Sequence, residues 1–153
     1  MRPLSKALLA AGLFSLVQIS LSSDLRAFSV AETQVFRQGP YTFKMEIQAS
    51  GPGKIKRDLI QLSSIKVKIK NERVSSEVLR VKAIRAFQEP NIFKDMETQS
   101  YSISPGQWVT KYLHLSKAKK PYLTPKGFIA IVFENFTIQF IPRERKFRGP
   151  LNY

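Results

Sequence analysis

The stretch YTFKMEIQ at 41–48 decides the fold. Tyr41, Phe43, Met45 and Ile47 alternate with Thr42, Lys44, Glu46 and Gln48. A period of two puts one set on each face of an extended chain, so this is a strand with one buried face. SIKVKIK at 64–70 repeats the rule, with Ile65, Val67 and Ile69 set against Lys66, Lys68 and Lys70. Between them Ser50-Gly51-Pro52-Gly53 breaks the pattern, and 54–62 has no firm assignment.

Further strands follow on the C-terminal side. Val74, Val78 and Val81 would suit one helix face, but Leu79, Val81 and Ala83 alternate, and the β-branched content favours a strand over 78–87. The apolar parity slips between Ala83 and Ile84, which predicts a bulge. QEPNIFKDMETQ at 88–99 has a proline and no period, and reads as a loop with at most one helical turn. Tyr101 and Ile103 restart an extended segment. Pro105 and Gly106 then occupy the central positions of a type II turn, the glycine supplying the positive φ required there. WVTKYLHL at 108–115 is the next strand, and 117–126 is a basic loop running into a type I turn at 124–127. The most apolar segments, 128–133 and 136–141, form either a hairpin over Glu134-Asn135 or one long bent strand. About seven short strands without βαβ alternation give an all-β fold, a single immunoglobulin-like β-sandwich.

The N-terminus reads differently. Arg2 and Lys6 precede the apolar run ALLAAGLFSLVQISL at 7–21, and Ser20 and Ser22 fit the small-residue positions of a cleavage site before Ser23. A run of fifteen residues, interrupted by Gln18 and Ser20, falls short of the roughly 20 apolar residues that a membrane helix needs. The expected organisation is a signal peptide at 1–22, a sandwich at 23–142 and a flexible basic tail at 143–153. The mature form then has no transmembrane span and is exported to a periplasm or the extracellular space.

The chain has 153 residues, with 25 Lys and Arg against 11 Asp and Glu, and no cysteine. The leader holds two cations and no acid, so 23 basic side chains remain against 11 acidic ones. Such a surplus favours anionic partners. Nucleic acid ranks below an envelope partner for an exported chain without an RNA-binding or zinc-finger signature. A disulfide-stapled miniprotein and a thiolate metal site are both excluded by the missing cysteine. His114 is the one histidine and Asp95 with Glu97 the one close acidic pair, so neither a Cys-His nucleophile nor a multi-histidine metal site can be assembled. No enzyme and no cofactor are expected. Asn135-Phe136-Thr137 fits the N-glycosylation pattern, which is read as incidental. Trp108 is expected to fill the core.

Lys66, Lys68 and Lys70 stand on one strand face, and Arg80 and Lys82 are similarly disposed on the next. If those strands pair, five cations share a patch; if they lie in opposite sheets, the ridge is split. A solubilising outer face is the plain alternative. Two other basic clusters are Lys117, Lys119 and Lys120 in the loop, and Arg143, Arg145, Lys146 and Arg148 in the tail.

KIKN at 68–71, EVLRVKAIRAF at 77–87, YSISPGQW at 101–108 and a late FIP at 140–142 together resemble the first immunoglobulin-like domain of periplasmic pilus-assembly chaperones. The resemblance covers about 65–142. It implies a sandwich that caps another envelope protein by strand addition, with Phe128, Ile129, Ile131, Phe133, Phe136, Ile138 and Phe140 as the edge to examine. Where that family carries a carboxylate-anchoring arginine, ETQVF at 32–36 offers Gln34. The expected function is thus a non-catalytic, exported protein that binds an envelope or extracellular protein. The alternative is a binding module for anionic lipid or polysaccharide through the basic clusters.

Overall fold

The computed structural model describes residues 27–56, 59–88, 92–115, 122–123 and 127–152. Thirteen strands run through them: β1 (Phe28–Gln38), β2 (Tyr41–Gly51), β3 (Gly53–Lys56), β4 (Leu59–Gln61), β5 (Ser64–Asn71), β6 (Leu79–Gln88), β7 (Ile92–Glu97), β8 (Tyr101–Ile103), β9 (Trp108–His114), β10 (Tyr122–Leu123), β11 (Phe128–Phe133), β12 (Phe136–Ile141) and β13 (Lys146–Asn152). The fold is an antiparallel β-sandwich. One sheet has the order β1-β2-β5-β9, and the other has the order β13-β12-β11-β6-β7 with β8 also against β6. A small sheet, β10-β4-β3, stands beside them.

The two alternating stretches do what their period requires. Phe43, Met45, Ile47, Ile65, Val67 and Ile69 are buried and form one core wall, which packs with Leu79, Val81, Ile84, Ile129, Ile131, Phe133, Phe136, Ile138 and Phe140 in a single cluster. An aromatic group anchors one end. The Phe43 ring lies 5.3 Å from that of Phe36, 5.2 Å from Phe133 and 5.6 Å from Phe136.

Several local expectations hold. Gly106 has φ +86°, and the Gln107 N–H donates to the Ser104 carbonyl at 2.9 Å, which closes the turn over Pro105-Gly106. The bulge sits in β6: Val132 stands opposite Ala83 and Phe133 opposite Val81, so Lys82 is the extra residue. Ile84 therefore returns to the core while Ala83 joins an outer cluster with Ala130 and Val132. β11 and β12 are a hairpin over Glu134-Asn135. At Gly51 the β2 backbone runs so close to the Gln61 carbonyl that any Cβ would overlap it.

Other expectations are corrected. The expected loop at 88–99 holds β7, paired with β6. The expected flexible tail holds β13, which pairs with β12 and brings Phe147 to 5.4 Å from Phe36. β1 was not anticipated at all: its inward positions run Phe28, Val30, Glu32, Gln34 and Phe36, and the two polar residues hide the alternation. No helix among the described residues is long and apolar enough to cross a membrane. The expected leader at 1–22 lies outside the described residues.

Candidate functional site: the outer face of the four-stranded sheet

Residues directly opposite each other in antiparallel strands share a face, so the registers convert into rows of side chains. Four rows cross the solvent face of the β1-β2-β5-β9 sheet: Val35, Lys44, Lys70 and Trp108; Thr33, Glu46, Lys68 and Thr110; Ala31, Gln48, Lys66 and Tyr112; and Ser29, Ser50, Ser64 and His114. Within a row, neighbours are about 4.8 Å apart; successive rows are about 7 Å apart.

The lysines converge on an indole. Lys68 Nζ lies 4.2 Å from the centroid of the Trp108 ring, Lys70 Nζ 5.5 Å and Lys44 Nζ 5.8 Å. Lys66 Nζ lies 5.3 Å from the Tyr112 ring. Trp108 is 39% exposed and Tyr112 62% exposed. Trp108 is thus an open platform rather than core filling, because the residue opposite it, Lys70, faces solvent. Two carboxylates answer the four lysines: Glu46 is 3.5 Å from Lys44 and 4.0 Å from Lys68, and Glu72 is 3.6 Å from Lys70. Lys66 has no carboxylate partner among the described residues. Lys44 and Lys70 stand directly opposite each other, an arrangement that by itself disfavours the pairing of their strands.

The last two rows border a half-open cavity of about 420 Å³. Ala31 and the serines Ser29, Ser50 and Ser64 leave room on the sheet surface, while Lys66, Tyr112 and His114 stand around it. The Ser50 and Ser64 hydroxyls are hydrogen-bonded at 2.6 Å.

Asn71 positions the Trp108 end. It is fully buried, and its Nδ2 donates to the Glu77 carbonyl at 2.9 Å and to the Ile103 carbonyl at 2.8 Å. Its backbone N–H donates to the Gln107 carbonyl at 3.1 Å, and its carbonyl accepts from Gly106 N–H at 2.6 Å. The turn that delivers Trp108 is therefore fastened to the end of the lysine strand.

The other anticipated residues fall elsewhere. β11 has β12 and β6 on its two sides, and β12 has β11 and β13, so neither offers a free edge. Ile129, Ile131, Phe133, Phe136, Ile138 and Phe140 are buried core residues, and Phe128 is half-buried, its ring stacked on Phe87 at 4.8 Å. Consecutive apolar residues in β11 reflect a central strand buried from Ile129 to Phe133, with Ile129, Ile131 and Phe133 in the main core and Ala130 and Val132 in the small outer cluster. Arg80 and Lys82 belong to β6 in the opposite sheet, so the two basic rows do not merge. Arg143, Arg145 and Lys146 lie at the turn into β13, also in that sheet, where Lys146 pairs with Glu144 at 2.9 Å. Lys117, Lys119 and Lys120 lie outside the described residues. Lys44, outside the basic clusters legible along the chain, completes the grid. Its parity on 41–48 was visible; its register against Lys70 was not.

Among the described residues no three His, Asp or Glu side chains gather as metal ligands would. No protein-family model matches the chain, and no curated protein matches it.

Proposed function

We propose that the protein is an exported, non-catalytic binding module that takes an anionic polysaccharide along the outer face of its four-stranded sheet. The observation that carries this reading is the convergence of Lys44, Lys68 and Lys70 on the partly exposed ring of Trp108. Three ammonium groups around one indole supply charge for a carboxylate or sulfate and a flat apolar surface for a ring beside it. Tyr112 with Lys66 repeats the pairing about 14 Å further along β9, four residues at the rise of a strand. A polymer with regularly spaced acidic groups can engage both.

Two features favour a glycan over a lipid surface. Lys66, Lys68 and Lys70 are half-buried against the sheet instead of projecting from it. Hydroxyl and amide groups of Thr33, Gln48, Ser50, Ser64 and Thr110 stand between the cations and rings, offering both donors and acceptors. Strand addition in the manner of a pilus chaperone draws no support from the segment at 128–141, which has no open side.

The test is a set of parallel titrations with polygalacturonate, dextran sulfate, neutral dextran, phosphatidylglycerol vesicles and duplex DNA. Binding to the acidic polysaccharides that weakens as salt rises, with none to neutral dextran, is the expected result. Stronger binding to the vesicles or to DNA, or binding that high salt leaves intact, would remove the basis for the proposal.

A further inference from the structure

The sheet edges in this fold carry devices against pairing, and β1 carries the fewest. β9 turns Lys111 inward, opposite Val67, with its ammonium 4.8 Å from the Tyr101 ring. β13 carries Lys146, Arg148 and Pro150. β7 is six residues long and holds Lys94, Asp95 and Glu97, and β8 is only three residues long. Lysine, proline, charge and short length are the usual means by which an edge avoids a second chain. β1 is eleven residues long with neither lysine nor proline, and no strand lies on its far side among the described residues. Its charges, Glu32 and Arg37, cancel, in a chain that is otherwise strongly basic.

We infer that β1 pairs antiparallel with β1 of a second copy, about a two-fold axis at Thr33. The sequence FSVAETQVFRQ is self-complementary in that register. Val30 meets Phe36, Ala31 meets Val35, Glu32 meets Gln34, and Thr33 meets itself. Inward residues stay opposite inward ones, as a continuous sheet requires. Glu32, which alone at an edge would discourage pairing, gains an amide donor from Gln34 of the second copy. Shifting the centre to Glu32 sets two carboxylates against each other, and shifting it to Gln34 sets Glu32 against Phe36; both cost what the central register avoids. Val35, 53% exposed, is covered in the pair. An isologous contact of this kind closes at two subunits.

The pairing alters the ligand face. The sheet becomes eight-stranded, with two lysine and aromatic grids in one continuous surface. Arg37 of the second copy comes opposite Ser29, at the rim of the cavity, and adds a cation beside Lys66 and His114.

Sedimentation of the purified protein over a wide concentration range, together with two variants, tests the inference. The chain has no cysteine, so a Thr33→Cys thiol has only its own counterpart to meet. Oxidation should give a covalent dimer at least about tenfold faster than with Ser102→Cys on β8, because pairing raises the local thiol concentration. Val35→Lys should weaken association by about tenfold or more while keeping the parent's Tm at concentrations dilute enough for both to be monomeric. A protein that sediments as a monomer throughout, a Thr33→Cys variant that cross-links no faster than Ser102→Cys, or unaltered association in Val35→Lys would each overturn the inference. A monomer that still binds polygalacturonate would overturn the dimer and leave the ligand face standing.

Discussion

Replacing Asn71 by alanine removes the hydrogen bonds that its amide donates to the Ile103 and Glu77 carbonyls. The first lies in the buried interior and the second at its margin. A buried carbonyl left without its donor costs about 1–3 kcal/mol, and a partly exposed one recovers some of that from water. The Oδ1 atom has no partner among the described residues, so its removal offsets a little of the loss. The net expectation is about 3 kcal/mol of destabilisation. For a domain of this length that is a fall in Tm of roughly 6–12 °C, and thermal unfolding followed by circular dichroism measures it. The variant keeps the backbone hydrogen bonds of residue 71 to Gly106 and Gln107 but frees the Ile103 carbonyl just before the turn, so the Trp108 emission of the folded variant should change below its transition. A fall in Tm under about 2 °C with unchanged emission would refute the argument that this amide ties Ile103, at the entry to the turn, to the lysine strand.

Three other predictions follow from the same geometry. Phe43→Ala opens a hole at the meeting point of Phe36, Phe133 and Phe136 and should cost about 3–5 kcal/mol, read as a lower urea midpoint at unchanged m. Burial raises the pKa of Tyr101 above its ordinary value, with the nearby Glu97 charge acting in the same direction. Because the folded value is the higher one, the neutral phenol's contribution is fully present below about pH 10 and is lost as pH rises beyond it. Tyr101→Phe should therefore match the parent at neutral pH and outlast it in alkaline denaturation; equal alkaline midpoints would contradict this. Lys68→Ala should keep its Tm within a degree or so, since the side chain is half-buried on an outer face, and flatten the salt dependence of polygalacturonate binding.

The elements that the sequence made legible are those whose physics is local. Alternation at 41–48 and 65–70, the Pro-Gly turn at 105–106 and the parity slip beside Ala83 each depend on a few adjacent residues, and each stands in the fold as read. β1 escaped notice because an edge strand tolerates Glu32 and Gln34 at inward positions, where a central strand would not. β7 and β13 escaped because mixed polarity and a Gly-Pro look like loop when their partners are unknown. The apolar run at 128–141 reads along the chain as a candidate edge, yet strand order puts β11 and β12 inside their sheet, with β11 buried from Ile129 to Phe133. The grid was half legible. Three of its lysines and the parity of Trp108, Tyr112 and His114 were visible along the chain. Their meeting depends on strand order, which no local pattern encodes, and that order also separated Arg80 and Lys82 from the lysine row.

Trp108 is the only tryptophan of the chain, so its fluorescence reports on the proposed ligand face without a label. Titrating the protein with polygalacturonate should give a saturable change in that emission which rising salt reverses, which neutral dextran does not reproduce and which Lys68→Ala weakens. Retention of the protein by polygalacturonate with no change in Trp108 emission would place the contact elsewhere and contradict the account.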